Sequence, residues 1–532
     1  MNLKYIKSLI PAVSMTLVLG MTSCMDELNI KPIDPTVNLE FSQNEVFNKI
    51  YATMGLTGQE GPAGNGDVAG IDEGTSAFYR LIFTANEYPT DEVICSWTDP
   101  GIPELYQMSW GSSHGQLEGL YGRLNFDIAL CNHFLEKTEG IDDAATVRQQ
   151  AEVRFIRALN FYYLMDLFGN VPFTEVVTAI PPKQINRAEL FTYIESELLA
   201  IGSDMYEARQ APFGRADVVA TWFLLSRMYL NANIYTGTAR WSEAAQYAKK
   251  VMDSSYDLCT NYAELFMADN DENQNAMQEI ILPIRQNGDK IRSYGGSLFV
   301  IASMHTNGMS PWGTSEGWGG VRARQALINK FFPNGNIPMG ATETEMAAAA
   351  NDDRALFFSG SPGASREDED SNWRTVEIGK PGIFKEGLSI AKWTNVRSDG
   401  GATSHTQWTD TDVPFFRLSE MYLTYAEALL RSGGSETDAL DVVNELRDRA
   451  NANKLMVLTL DNLLDERSRE LYAEGHRRID LVRYGYFTSN AYVWDWKGGQ
   501  AKGTGISSNY NLYPIPISDL VVNSNLKQNP GY

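Results

Sequence analysis

The chain has 532 residues, a formal net charge of −23 and an aromatic content of 11%. A surface this acidic repels phosphate backbones, which excludes nucleic acid as a partner. The length is enough to bury a large core, and no apolar run after the N-terminus is long enough to cross a bilayer.

The first elements concern export. Lys4 and Lys7 precede an apolar stretch from Leu9 to Met21, too short to span a membrane, which ends in Thr22-Ser23 before Cys24. This is the layout of a secretory signal peptide over residues 1–23. Loss of its two lysines takes the formal charge from −23 to −25. A thiol at the cleavage point can carry acyl chains, each buried CH₂ anchoring by roughly 0.8 kcal/mol. Cys24 is therefore the expected lipidation site. Residues 24–40, interrupted by Pro32 and Pro35, read as its extended tether. The other cysteines, Cys95, Cys131 and Cys259, have neither disulfide nor zinc spacing and are expected as small buried residues.

Helical periodicity follows. Val46, Phe47, Ile50, Tyr51 and Met54 share one face, and residues 151–168 repeat the pattern until Gly169. Residues 215–232 and 241–252 form a pair whose short link, containing Gly237, predicts an antiparallel hairpin. A second pair, from Leu418 to Leu429 and from Ala439 to Ala450, is broken by Gly433-Gly434, and a third helix runs from about Asp461 to Glu474. Small residues at the packing positions predict an all-α fold of tetratricopeptide-like helical hairpins with few short strands. Residues 55–115 and 261–415, rich in Gly, Pro, Asn, Asp and Trp, are expected as large irregular loops, and loops of that length are usually functional.

Catalytic motifs are weak. Gly111-Ser112-Ser113-His114-Gly115 matches a nucleophile elbow, but no strand–helix series surrounds it, so a chance match is expected. The five histidines lack paired-ligand spacing, and neither a phosphate loop nor a dinucleotide fingerprint is present. Carboxylates are plentiful, yet nothing selects a glycosidase pair. Asp269-Asn270-Asp271-Glu272-Asn273 and the pair Asp410 and Asp412 offer calcium-like oxygen ligands, with solvated loop acids as the plain alternative. Trp97, Trp110, Trp312, Trp318, Trp373, Trp393 and Trp408 concentrate in the loop-rich regions. A flat ring suits the apolar face of a pyranose, and glycine-rich surroundings such as Gly295-Gly296 and Gly317-Trp318-Gly319-Gly320 favour exposure of several of them.

At the family level, Ala151-Glu152-Val153-Arg154-Phe155-Ile156-Arg157-Ala158 running to Leu167-Phe168-Gly169-Asn170-Val171-Pro172 resembles the SusD/RagB family of outer-membrane nutrient-binding lipoproteins. Arg417-Leu418-Ser419-Glu420-Met421-Tyr422-Leu423, Glu474-Gly475-His476-Arg477-Arg478 and the closing Gln528-Asn529-Pro530-Gly531-Tyr532 carry the same resemblance. Trp494-Asp495-Trp496-Lys497 and the stretch from Leu258 to Gln286 are similar to its starch-binding members. The acids after Cys24 resemble a surface-export signal.

The resemblance implies a non-enzymatic protein with about four tetratricopeptide-like helix pairs, lipid-anchored on the outer face of the outer membrane. It would bind starch and maltooligosaccharides and pass them to a SusC-like TonB-dependent transporter, beside other surface glycan-binding lipoproteins and an amylase. It implies an aromatic arc of Trp97, Tyr294 and Trp318, with Asp72 and Arg80 on the glucose hydroxyls. Pro100 stands where relatives have a sugar-bonding asparagine. No catalytic cofactor is implied, but a structural calcium is, on Asp271, Asp410 and Asp412. Three regions follow the tether: residues 41–260 with helical hairpins, 261–414 as the loop-rich glycan region, and 415–532 as closing helices of the same scaffold. The alternatives are the same role for a different glycan, a surface glycoside hydrolase, or a purely structural scaffold.

Overall fold

In the computed structural model residues 40–532 are described; the expected signal peptide, Cys24 and the tether up to residue 39 lie outside the described residues. Residues 44–532 form one unit. Several helices of this unit start where a side chain caps them. Helix α1 spans Gln43–Gly55, α2 Phe78–Glu87, α3 Gly115–Lys137 and α4 Ala144–Phe168. Then follow α5 (Arg187–Ile201), α6 (Val218–Leu230), α7 (Trp241–Met252), α8 (Ser297–Met304) and α9 (Gln325–Phe331). The C-terminal set is α10 (Ser419–Ser432), α11 (Glu436–Arg449) and α12 (Leu460–Leu471). Asp143 begins α4 by accepting Ala145 and Thr146 N–H, Asn186 begins α5, Asp217 begins α6 and Ser435 begins α11. Such caps meet the free N–H groups of the first turn and are worth about 1 kcal/mol each.

The hairpin expected between residues 215 and 252 is present as α6 and α7. Lys250 sits over the Trp222 ring, Ser226 Oγ donates to Ala244 O at 2.9 Å, and Arg240 covers Tyr229. Contacts that ascend one helix and descend the other make the pair antiparallel. Ala244, Ala245 and Ala248 are buried, and their small side chains permit the close approach. In the second pair Leu423 and Ala426 of α10 pack on Ala439, Val443 and Leu446 of α11, with Leu463 and Leu471 of α12 closing the cluster. Gly433 ends α10 in the left-handed region, as the glycine pair predicted. The architecture is thus a helical scaffold with few short strands.

The two regions expected as irregular loops contain more structure than that. Besides α2, α8 and α9 they supply most of the strands among the described residues, which are two to five residues long. In chain order these are β1 (Val93–Cys95), β2 (Val171–Phe173), β3 (Lys183–Ile185), β4 (Ile280–Ile284), β5 (Val321–Ala323), β6 (Phe357–Phe358), β7 (Ser389–Ile390) and β8 (Val413–Arg417). All pair as two-stranded ribbons, β1 with β5, β2 with β3, β4 with β8 and β6 with β7. Elements this short show no alternation in the sequence, which is why composition alone reads them as loop.

A buried ion network ties the scaffold to these ribbons. Arg417, at the end of β8, donates to Glu474 at 2.7 Å and to Glu470 at 2.6 Å. Glu470 also meets Arg354 and Arg449. Arg477 grips Asp91 through two hydrogen bonds of 2.6 and 2.8 Å, joined by Lys330 and Tyr492. Asp91 and Glu92 lie just before β1, so the network anchors that strand's base.

Candidate functional site

The β1–β5 ladder places Cys95 opposite Val321. Trp97 leaves one end of this ribbon and Trp318 enters it three residues before β5, so pairing sets the two indoles side by side. Their centroids are 6.3 Å apart at an interplanar angle of 57°. Gly320 makes the approach possible: its φ is +103°, and a Cβ there would collide with the Trp97 indole. Ser96 N donates to Gly320 O at 2.8 Å, and the N–H groups of Trp318 and Gly319 share Ala302 O at 2.7 and 3.0 Å.

Tyr294 extends the series. Its ring centroid lies 6.2 Å from that of Trp318 at 44°, and Trp408 supports it edge-on at 4.8 Å. Gly74 lets the Asp72–Ser76 turn pack against it, since a Cβ at Gly74 would come within 2.6 Å of Tyr294 Cβ. Glu316 orients the rings. Its carboxylate accepts Trp318 Nε1 at 2.6 Å and Gln407 Nε2 at 2.9 Å, and its carbonyl accepts Trp312 Nε1 at 2.6 Å. Trp97, Trp318 and Tyr294 are all half-buried rather than sealed in the core.

A cleft of about 560 Å³ opens beside the indoles, lined by Asp72, Arg80, Trp97, Asp99, Gln116 and Trp318 among others. Four of the five residues expected to touch glycan therefore share its wall, and Tyr294 joins through Trp318. Asp72 uses Oδ2 to accept the N–H and Oγ of Thr75, at 3.0 and 2.9 Å, which leaves Oδ1 for a ligand. The Arg80 guanidinium lies over Phe299 at 4.7 Å and Trp97 at 5.9 Å. Its N–H groups have no acceptor among the described residues, and burial lowers its pKa from the usual guanidinium range. Neighbouring Glu73 is pushed up to about 7, first by burial and then by Asp72. Pro100 also lines the cleft and has no donor to offer. Sequence reading missed Thr75, Gln116, Glu316 and Gln407; no motif marks them, and only the folded turns bring them here.

Other singled-out residues are elsewhere. Trp110, Trp373, Trp393 and Trp408 are buried, with Trp393 Nε1 bonded to Ala473 O, so glycine-rich surroundings did not expose them. The Gly111–Gly115 match is a turn in which His114 caps α3, its Nδ1 accepting Leu117 N–H and its Nε2 donating to Gly101 O. That bonding requires the neutral ring, and burial favours it by lowering the His114 pKa. Asp271 and Asp412 are bridged by Arg285, at 2.7 and 2.8 Å. Asp410 accepts N–H from Gly288 and Ser404. Among the described residues no three His, Cys, Asp or Glu side chains are gathered as a metal cage.

Comparison with known proteins gives a consistent picture. The SusD family model matches residues 299–532. The starch-binding protein SusD of Bacteroides thetaiotaomicron is 48% identical over the whole of both chains. A SusD-like protein of Bacteroides ovatus is 26% identical, across 70% of this chain and 65% of its own. Among solved structures, surface glycan-binding protein A of Bacteroides thetaiotaomicron in complex with laminarihexaose superposes with a TM-score of 0.65 at 18% identity. That match covers 92% of this chain and 98% of the other. A SusD superfamily protein of Parabacteroides distasonis gives 0.67 at 21% identity, over 93% and 100%.

Proposed function

From the premise that this chain belongs to the SusD family, we propose that it captures starch and maltooligosaccharides at the cell surface without cleaving them. The observation that carries the reading is the half-exposed series Trp97, Trp318 and Tyr294 beside Asp72 and Arg80. Three tilted rings, each end ring about 6 Å from the middle one, suit a curved α-1,4-glucan whose sugars turn successive apolar faces inward. The free oxygen of Asp72 accepts a hydroxyl proton, and Arg80 donates to hydroxyl oxygens. Binding is by stacking and hydrogen bonds alone.

Electrophoresis through gels containing amylopectin tests this. The wild-type protein is expected to be retarded, with Trp97→Ala and Trp318→Ala running freely. Retardation by another polysaccharide instead would name a different glycan. New reducing ends released from amylopectin would overturn the non-catalytic reading.

The setting extends the proposal. Lipidation at Cys24 holds the protein on the outer face of the outer membrane, where it hands its ligand to a SusC-like TonB-dependent transporter. Other surface glycan-binding lipoproteins and an amylase work beside it. Cys24→Ala should release the protein from membranes, and co-purification with the transporter checks the pairing. A structural calcium on Asp271, Asp410 and Asp412 belongs to the same reading. The donor set is hard oxygen, as calcium prefers. Asp412 is buried, and burial, Asp271 and Asp410 together raise its pKa well above the carboxylate range, with Arg285 the balancing cation. Bound calcium would be held by these carboxylates and would supply positive charge beside Asp412. Retention of calcium through dialysis, lost in Asp412→Asn, tests it.

A further inference from the structure

Gln116 is the second residue of α3 and lines the same cleft as Trp97, Asp99 and Pro100. Only 9% of it is exposed, yet its amide oxygen has no hydrogen-bond partner among the described residues. Buried amides are nearly always bonded, so an orphaned one needs a reason. The backbone holds it firmly in place. His114 caps α3 and donates to Gly101 O at 2.8 Å, which closes the Asp99–Gly101 turn onto the first turn of the helix. Gly101 has φ +96°, and a Cβ there would touch the His114 ring at 3.0 Å and Gln116 Cγ at 3.7 Å. The Gln116 stem therefore lies along a turn whose exposed side chains, Asp99 and Pro100, offer no donor. Two more donors converge here. The N–H groups of Gly115 and Gln116 belong to the first helical turn, have no partner one turn back, and find no acceptor among the described residues.

We infer that Gln116, with the backbone N–H groups of Gly115 and Gln116, is a hydroxyl-reading subsite for a neutral sugar held in this cleft. The inference rests on the proposed glycan capture. Stacking on Trp97 and Trp318 senses the apolar face of a pyranose but tells little about which hydroxyl stands where. A primary amide both donates and accepts, so it answers a hydroxyl in either role. A site built to bond a hydroxyl rejects a sugar that lacks one in that place, because its own polar groups then stay unpaired. Helix-end N–H groups add a weak positive field that favours hydroxyl oxygens over a cationic ligand.

Calorimetric titration with maltoheptaose, beside thermal melting, tests the assignment on the wild type, Gln116→Met, Gln116→Glu and Trp318→Ala. Gln116→Met keeps the stem length and removes the amide. It is expected to bind roughly 3–10-fold more weakly, the range of one lost neutral hydrogen bond. Its melting temperature should hold or rise, since the orphaned oxygen is gone; a merely structural amide would move it the other way. Gln116→Glu, which keeps acceptors and loses donors, should also bind more weakly and serves if the methionine variant does not fold. Wild-type affinity in both variants, or a loss of binding only in step with a fall in melting temperature, overturns this assignment. If Trp318→Ala loses binding while Gln116→Met keeps it, the capture reading stands and the subsite falls. No binding of maltoheptaose or any polysaccharide by the wild type removes both.

Discussion

Two glutamates, one in the helical scaffold and one beside the cleft, show how differently the two regions treat charge. Burial alone would raise the pKa of Glu466, but the guanidinium groups of Arg354, Arg469 and Arg447 outweigh it and bring the carboxyl down to about 2. Glu73 is also raised by burial, then by Asp72, and Arg123 and Arg80 offset too little, so it stands at about 7. Neither Glu73 oxygen has a hydrogen-bond partner among the described residues. The scaffold spends its polar groups on one another. The cleft keeps some in reserve, in one oxygen of Asp72, in Arg80 and in Gln116, and unmet hydrogen-bonding capacity is what a ligand can satisfy.

The contrast can be broken most violently from the scaffold side. Glu470→Ala would leave Arg354, Arg417 and Arg449 short of a shared buried partner, and removing one member of such a group costs about 3–5 kcal/mol. Urea unfolding should show that loss. In the cleft, Trp318→Ala should scarcely move the urea midpoint, yet lower α-glucan affinity by about 2 kcal/mol or more, near 30-fold, read by calorimetric titration. A variant that loses stability and affinity together would mean the two regions are not separable. Gly320→Ala probes the seam between them. It adds a Cβ in the left-handed region and against Trp97, so a loss of about 1 kcal/mol or more is expected together with shifted tryptophan fluorescence and weaker binding.

Acidity separates the regions by sign and gives the smallest effect. Glu466 has a depressed pKa, so its contribution is present above the unfolded carboxylate value near 4.5 and is lost as pH falls towards about 2. Glu73 has a raised one, so its contribution is full below about 4.5 and is lost as pH rises through about 7. Melting temperatures across pH 4 to 8 should decline gently on the alkaline side for the wild type and less for Glu73→Gln. An identical slope in both would remove Glu73 from the account.

Much of the scaffold was legible from spacing. Residues 241–252 and the Gly433-Gly434 break lie where periodicity put them, because helices that bury one face write a 3.6-residue pattern. Helix α4 begins earlier than residue 151, at Ala144, since its first turns are set by the Asp143 cap rather than by an apolar stripe. Helices α2 and α5 went unread; α2 is only ten residues long and almost all of it is buried, within a stretch whose glycine-rich composition reads as loop. The cleft was legible only by likeness to relatives. Strands of three residues carry too little pattern to reveal that Cys95 faces Val321, and without that ladder Trp97 and Trp318 are just two tryptophans among 11.

The same ladder has a consequence for biogenesis. Its halves come from the first and the middle thirds of the chain, and its base is gripped by Arg477, which is made later still. Contacts this remote close slowly and late. A fragment ending before Arg477 lacks the grip on Asp91 below the ladder, so a nascent or truncated polypeptide is expected to bind its ligand poorly. Retention on an immobilised glucan column would then report completed maturation, sorting finished molecules from partial ones in a single passage.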